Sequence, residues 1–349
     1  MKKIKYILYG LIMIALTIIL IGFIVRYPSY TIQTTGKLYI INKKSEDVTV
    51  FDLYSGKELA TVAINIESHG AAKVMGQDKI AIANYNTTKD RDISICILNT
   101  KTNTVDKTIA LTADALGLDG VIALPQPNQI AIMSSVSNTF LSVDMKSNTI
   151  ENKIPTLQKK SHHIALHSGQ PIAYITNIES GTISVIDYAT SQIIETIYCG
   201  KGTQSIDITA DGSEIWVTNT NENTVSIINA RKNKLVKKLR TGKEPMGLKF
   251  SVDGRYCLVT NLKDGSISVF NRLSKKEIKR IPIHGKNTVL ERTLYHTPRP
   301  VNIIMHPNGL YAFIANSNAN KIEIIDMKTF TIVSTIGTGN VPDAMVFVP

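Results

Sequence analysis

From Leu38 to the end of the chain, apolar residues come in short runs separated by clusters of Asp, Asn, Gly and Ser. One stretch shows the pattern plainly. Its apolar runs cover 205–209, 214–218, 224–228 and 235–239, with Asp211-Gly212, 219–223 and 231–233 as the breaks. Runs this short, bounded by turn residues, predict antiparallel strands joined as a meander. No helical periodicity of useful length follows residue 30. The four-run unit recurs. It reads I-T-N…I-S-V-I-D from Ile175 to Asp187, V-T-N…V-S-I-I-N from Val217 to Asn229, and V-T-N…I-S-V-F-N from Val259 to Asn271. Fainter copies occur at 40–52, 83–99, 134–144 and 315–326. Self-similarity at this period marks a repeat architecture, in which no unit buries its faces alone.

The register between runs is regular. The first apolar residue of run 1 precedes the end of run 2 by the same interval in Ile164–Asn177, Ile206–Asn219, Leu248–Asn261 and Ile303–Asn316. Ala71–Asn84 and Ile122–Ser135 keep it. At the ends, the first copy begins at Leu38 with the equivalent of run 2. The segment 342–347 (P-D-A-M-V-F) matches run 1 of the sixth copy (P-M-G-L-K-F, 245–250) and is followed by nothing. Pairing the two ends closes a ring and leaves no sheet edge to template aggregation. The expected fold is all-β: a seven-bladed β-propeller over residues 37–349, with four-stranded antiparallel blades and closure by the C-terminal strand.

The copies resemble the YVTN-type propeller repeats of surface-layer-associated and YncE-like extracytoplasmic proteins. The tetrapeptide stands here as Tyr174-Ile175-Thr176-Asn177, Trp216-Val217-Thr218-Asn219 and Leu258-Val259-Thr260-Asn261. The third copy departs from it, with Met133-Ser134-Ser135. The resemblance covers residues 37–349 and implies fold. Function it leaves open, because propellers serve lectins, lactonases, dehydrogenase subunits and scaffolds alike. The asparagines Asn42, Asn84, Asn177, Asn219, Asn261 and Asn316 are expected to bond their own turns in left-handed geometry.

The N-terminus is different material. Lys2, Lys3 and Lys5 precede an apolar run from Tyr6 to Val25, then Arg26 and Pro28. About 20 apolar residues span a bilayer core as a helix, and no small-residue cleavage site is visible. Residues 1–26 are therefore expected to form a single-pass transmembrane signal anchor with a cytoplasmic N-terminus. Residues 27–36 follow as a linker, and the propeller lies outside the cytoplasm at the cell membrane. Beyond residue 26, 35 basic residues face 28 acidic ones, a modest excess. Cys96, Cys199 and Cys257 fall in different copies, with no C-x-x-C and no C-x-x-C-H, so neither a disulfide framework nor a haem attachment is expected.

In a four-strand meander the turns alternate between the two faces of the disc, so residues can be assigned to a face. The face with the interblade connections takes His69, His162, His163, His284 and His296. At its channel mouth, equivalent positions are His69, His162, Gln204, Met246, Val301 and Asp343, with Gly120 or Val121 nearby from the third blade. The one long insertion, 284–300, adds Arg292, Tyr295, His296 and Arg299. Long loops of this kind carry function. The ligand-site candidates are His69, His162, His163, Gln204, His296, Arg299 and Asp343. His69, His162 and His296 are candidate ligands for a divalent metal, although no cofactor is implied by spacing alone. His167 and His306 fall in turns of the opposite face, as turn-stabilising residues. That face also gathers Arg231, Lys232, Lys234, Arg272, Lys275 and Lys276, a candidate surface for anionic lipid.

Recognisable catalytic motifs are absent: no G-x-S-x-G, H-E-x-x-H, Walker A or G-x-G-x-x-G. Scarce aromatics argue against nucleic acid, whose single-strand binders interleave basic residues with stacking platforms. The sequence thus points to a membrane-anchored binding or scaffold module for an envelope protein, glycan or small ligand. The alternative is a lactonase-like or metal-dependent hydrolase or lyase at the histidine-bearing mouth. Convergence of His69, His162 and Asp343 or His296 favours that alternative.

Overall fold

The computed structural model describes residues 9–17, 29–87, 93–112, 115–283 and 298–349. Among them are 28 strands, β1 to β28 in chain order, forming seven four-stranded antiparallel sheets. The first sheet has the order β28-β1-β2-β3, with β28 (Pro342–Val348) paired to β1 (Lys37–Asn42). The other six sheets are sequential meanders. Their innermost strands are β4 (Ser68–Lys73), β8 (Leu118–Ala123), β12 (Ser161–Leu166), β16 (Thr203–Ile208), β20 (Pro245–Phe250) and β24 (Pro300–Met305). Each innermost strand touches the next around the ring, and β28 touches both β4 and β24. The propeller is closed as its two ends predicted.

The core lies between blades. Seven apolar clusters form, one at each joint. At the joint of blades 5 and 6, Trp216 is fully buried, with Phe250 and Phe270 edge-on at 5.4 and 6.1 Å. Its indole N–H reaches Glu214 at 3.0 Å. The outer strands are mostly exposed. In β19 (Lys234–Arg240) only Leu239 is buried.

The repeated Thr-Asn dipeptide has a structural task, though not the one expected. All six asparagines end a strand in extended backbone. The left-handed residues come later in the turns, as at Gly181, Asn223 and Gly265. The buried Asn219 reaches across its hairpin instead, donating to Thr224 Oγ1 (3.0 Å) and Ser226 Oγ (2.9 Å) and accepting from Thr203 Oγ1 (3.1 Å). Asn177 and Asn261 do the same with Thr182 and Ser184, and with Ser266 and Ser268. The asparagine therefore ties three strands of its blade together. Each inner strand carries a bulge beside it, one extra residue against its partner. The bulge N–H groups of His163, Ser205 and Gly247 are capped by Thr176, Thr218 and Thr260. Thr176 and Thr218 also donate to the next blade, at Gln204 O and Met246 O (both 3.0 Å). Asn219→Ala strands three buried partners and is expected to cost about 2–3 kcal/mol. The exposed turn variant Asn221→Ala should cost about 0.5 kcal/mol or less. Urea titration of the two variants checks this.

Upstream of β1, the chain is held against blades 7 and 1. Ser29 and Thr31 bond Thr335 and Ser334 of β27 (Thr331–Gly337). The Tyr30 hydroxyl donates to Leu53 O at 2.6 Å. His306 fixes the next residues. Its Nδ1 accepts from Asn308 N–H, so its Nε2–H is the donor facing Thr35 O at 3.0 Å. His167 likewise accepts from Gly169 N–H within its own turn. Of the expected transmembrane segment, residues 9–17 are described as a helix. Among the described residues no helix is long and apolar enough to cross a membrane. The spanning helix read from the sequence is thus not seen.

Candidate functional site

Each bulge projects one side chain per blade at the channel end that bears the interblade connections. The seven are His69, Asp119, His162, Gln204, Met246, Val301 and Asp343. Asp119 corrects the sequence reading, which placed Gly120 or Val121 there. Blade 3 lacks the asparagine that marks the strand end, and Ser134-Ser135 allows a one-residue slip. The pairing Leu118↔Ser134 shows that Ser134, not Ser135, takes the asparagine position. The spacing of 16 residues between Ser161 and Asn177, and between Thr203 and Asn219, would have found Leu118, and so Asp119, once counted from Ser134.

Around the ring, acids and bases alternate over blades 1 to 4. His69 Nδ1 lies 2.5 Å from Asp343 Oδ2, and its Nε2 lies 3.8 Å from Asp119 Oδ1. Asp119 Oδ2 lies 3.1 Å from His162 Nε2. Gln204 Nε2 approaches the His162 ring at 3.5 Å, and the His163 ring stands 4.1 Å from it, centroid to centroid. Tyr85 meets His69 edge-on at 5.1 Å. On blades 6 and 7 the mouth turns apolar, with Met246 and Val301. Asp119 and His162 are buried, whereas His69 keeps a quarter of its side-chain surface.

Charge follows from this placement. Burial by itself favours neutral His69, but the Asp343 and Asp119 carboxylates outweigh it and push its pKa up to about 9. Burial would likewise raise Asp119, yet His162 and His69 hold it well below the usual carboxylate range. Burial, reinforced by His162, holds the His163 imidazole well below its ordinary value.

His69, Asp119 and His162 form a group able to hold a metal ion, with one donor atom from each lying within 4.8 Å of the others. In a tetrahedral zinc site with bonds near 2.0–2.1 Å, donors stand about 3.3 Å apart, so small side-chain shifts suffice. Asp343 behind His69 Nδ1 leaves Nε2 free to ligate, which is the carboxylate–histidine support common to metal centres. The mouth therefore brings together His69, His162, His163, Gln204 and Asp343 of the residues expected from sequence. Arg299 is different: its backbone N–H bonds Asn316 and its side chain is exposed. His296 and the rest of 284–297 lie outside the described residues.

On the opposite face two of the six basic candidates are engaged between blades. Arg272 pairs with Asp211 (2.9 Å) and Lys275 with Glu214 (2.5 Å), bracing blade 6 against blade 5. Arg231, Lys232, Lys234 and Lys276 stand exposed. The three cysteines are buried free thiols. Burial pushes Cys96 up to about 11 and Cys199 up to about 12, so neither is poised as a nucleophile.

The family described as "Lactonase, 7-bladed beta-propeller" matches residues 158–278. That stretch contains His162, His163, Gln204 and Met246 but not His69, Asp119 or Asp343. No curated protein matches the chain. Among solved structures, a functionally unknown protein from Desulfotomaculum acetoxidans is similar with a TM-score of 0.70 and 14% identity, over 89% of this chain and 99% of that one. Hydrazine synthase of Kuenenia stuttgartiensis is similar with a TM-score of 0.67 and 15% identity, over 79% and 88%. At these identities the likeness is one of fold, and by fold the chain is a seven-bladed propeller.

Proposed function

We propose that the channel mouth is a metal-assisted hydrolytic site for a small carbonyl compound of the lactone or ester class, carried by a YVTN-type propeller anchored at the cell envelope. One observation carries the reading: His69, Asp119 and His162 converge from three blades, and Asp343 from a fourth orients His69. A buried carboxylate flanked by two imidazoles is costly for mere lining, since each charge must be desolvated. The partial likeness to lactonases supports the reaction class.

The ligands would be His69 Nε2, an Asp119 oxygen and His162 Nε2. A divalent ion held by them supplies Lewis acidity toward a carbonyl oxygen and a nucleophilic water near neutral pH. The chain's own residues do the rest. Asp343 fixes the His69 ring, Gln204 borders His162, and Met246 with Val301 offers an apolar wall to the body of the ligand. The anchoring is supported by Lys2, Lys3 and Lys5 ahead of the apolar run.

The test is elemental analysis of protein purified with zinc, followed by hydrolysis of simple lactones and aryl esters. One zinc per chain is expected, with activity removed by chelation and restored by zinc. His69→Ala/His162→Ala should lose both. A wild-type protein that takes up no zinc and hydrolyses neither substrate leaves the binding-module reading in place instead.

A further inference from the structure

The turns joining the third and fourth strands of the seven blades lie on the face opposite the mouth, and their geometry is uniform. In each, an Asp or Asn at the head accepts a backbone N–H of its own turn, from Asp52 through Asp326. Two residues on, the exposed tips are Tyr54, Lys101, Lys146, Ala189, Arg231, Leu273 and Lys328. No acid occupies a tip. Tyr54 and Leu273 are 73% and 93% exposed, unusual for side chains of their size.

The carboxylates of the inner turns on this face are matched. Asp78 pairs with Lys101, Asp211 with Arg272, and Asp253 with Arg255. Lys146, Arg231, Lys232, Lys234, Lys276 and Lys328 remain as surplus positive charge without an ion pair among the described residues. Apolar tips of the inner turns, Met75, Val252 and Leu310, are also about half exposed. With Tyr54 and Leu273 they fill an arc over blades 6, 7, 1 and 2. That arc is where the chain emerging from the apolar run is stitched down, since Tyr30 bonds the turn that carries Tyr54.

We propose that this face rests on an anionic bilayer, with Tyr54 and Leu273 at the interfacial level and the surplus lysines and arginine among the head groups. The inference rests on the anchoring read above, and it turns the mouth away from the membrane. Each basic residue near an anionic surface strengthens association roughly fivefold, and the attraction is screened by salt. Interfacial Tyr suits the head-group level, where its ring is half apolar and half polar.

The experiment uses the full chain reconstituted in nanodiscs of neutral or anionic lipid carrying a lipid-borne nitroxide. A fluorophore is placed at Leu273→Cys, or at Leu157→Cys in an exposed interblade connection of the other face. The native thiols are buried and do not compete for label. Expected is quenching at 273 in anionic discs, little at 157, and loss of the 273 signal in high salt or in Arg231→Glu/Lys232→Glu/Lys234→Glu. Co-elution with anionic discs alone, with 273 quenched, keeps the face and removes the anchor. Co-elution with both discs without quenching at 273, or with 157 quenched instead, removes the face and keeps the anchor. No co-elution removes both.

Discussion

Deleting β28 is expected to abolish cooperative folding. The strand buries Met345, Val346 and Val348, with Phe347 partly covered, against blades 1, 2 and 7. At about 1.5–3 kcal/mol for each large apolar side chain, its removal costs roughly 6–12 kcal/mol. That is comparable to the whole stability of an ordinary domain, about 5–15 kcal/mol. Deletion also bares the backbone edge of β1 and ends the contact of blade 1 with β4 and β24. A circular permutant separates closure from mere chain length. Opened between Gln158 and Lys159, with Pro349 joined to Gly36 by a short linker, it keeps every blade and makes β28-to-β1 an ordinary hairpin. The permutant should melt in one transition by calorimetry, whereas the chain ending at Val341 should show none and bind hydrophobic dye. A truncated chain that melts cooperatively near the parent temperature would mean that the ring does not depend on its last strand.

What could be read from sequence followed what is local. Blade count, strand order and ring closure rested on short-range alternation and on asparagines recurring at one place in the repeat, so they were legible. Site residues were legible wherever that landmark was present. His69, His162, Gln204 and Asp343 were placed by counting back from Asn84, Asn177, Asn219 and Asn42. Asp119 was not, because Ser134 has taken the asparagine's position and Ser135 beside it looks equally suitable. A polar substitution that preserves the fold thus erased the ruler. Pairings across blades were hidden for another reason. Arg272 finds Asp211 across 61 residues, a distance along the chain at which no pattern points to a partner. The threonine preceding each asparagine was legible as a strand former only. Its task of capping a bulge N–H and reaching the next blade exists only once the bulge is formed. The upstream chain reads as a tether, yet Tyr30 and Thr34 find hydrogen-bond partners in the turns of blades 1 and 7.

Replacing Asp119 should have the largest effect of any single side chain at the mouth, on both metal and stability. Asp119→Ala removes the only carboxylate among the proposed ligands and leaves two buried imidazoles facing each other. Stoichiometric zinc should be lost. Asp343→Asn, which touches only the support of His69, should weaken zinc by about 10–100-fold. In the metal-free protein, Asp119→Ala should cost about 3–5 kcal/mol near neutrality, the usual penalty for removing one member of a buried charged pair. The pH dependence adds a second check. Folding raises the His69 pKa from 6.5 to about 9, so the protonated ring contributes its full stability below pH 6.5. That contribution falls as pH climbs through about 9, and it amounts to at most about 3 kcal/mol. Asp119 runs the other way. Its pKa is depressed on folding, so its share is present above the ordinary carboxylate pKa and is lost as the solution is acidified below it. Denaturant titrations of chelator-treated protein from pH 5 to 10 should therefore show an alkaline limb in the parent and a flattened one in Asp119→Ala. A variant that keeps one tightly bound zinc and the parent's alkaline limb would place the metal and the proton on other residues.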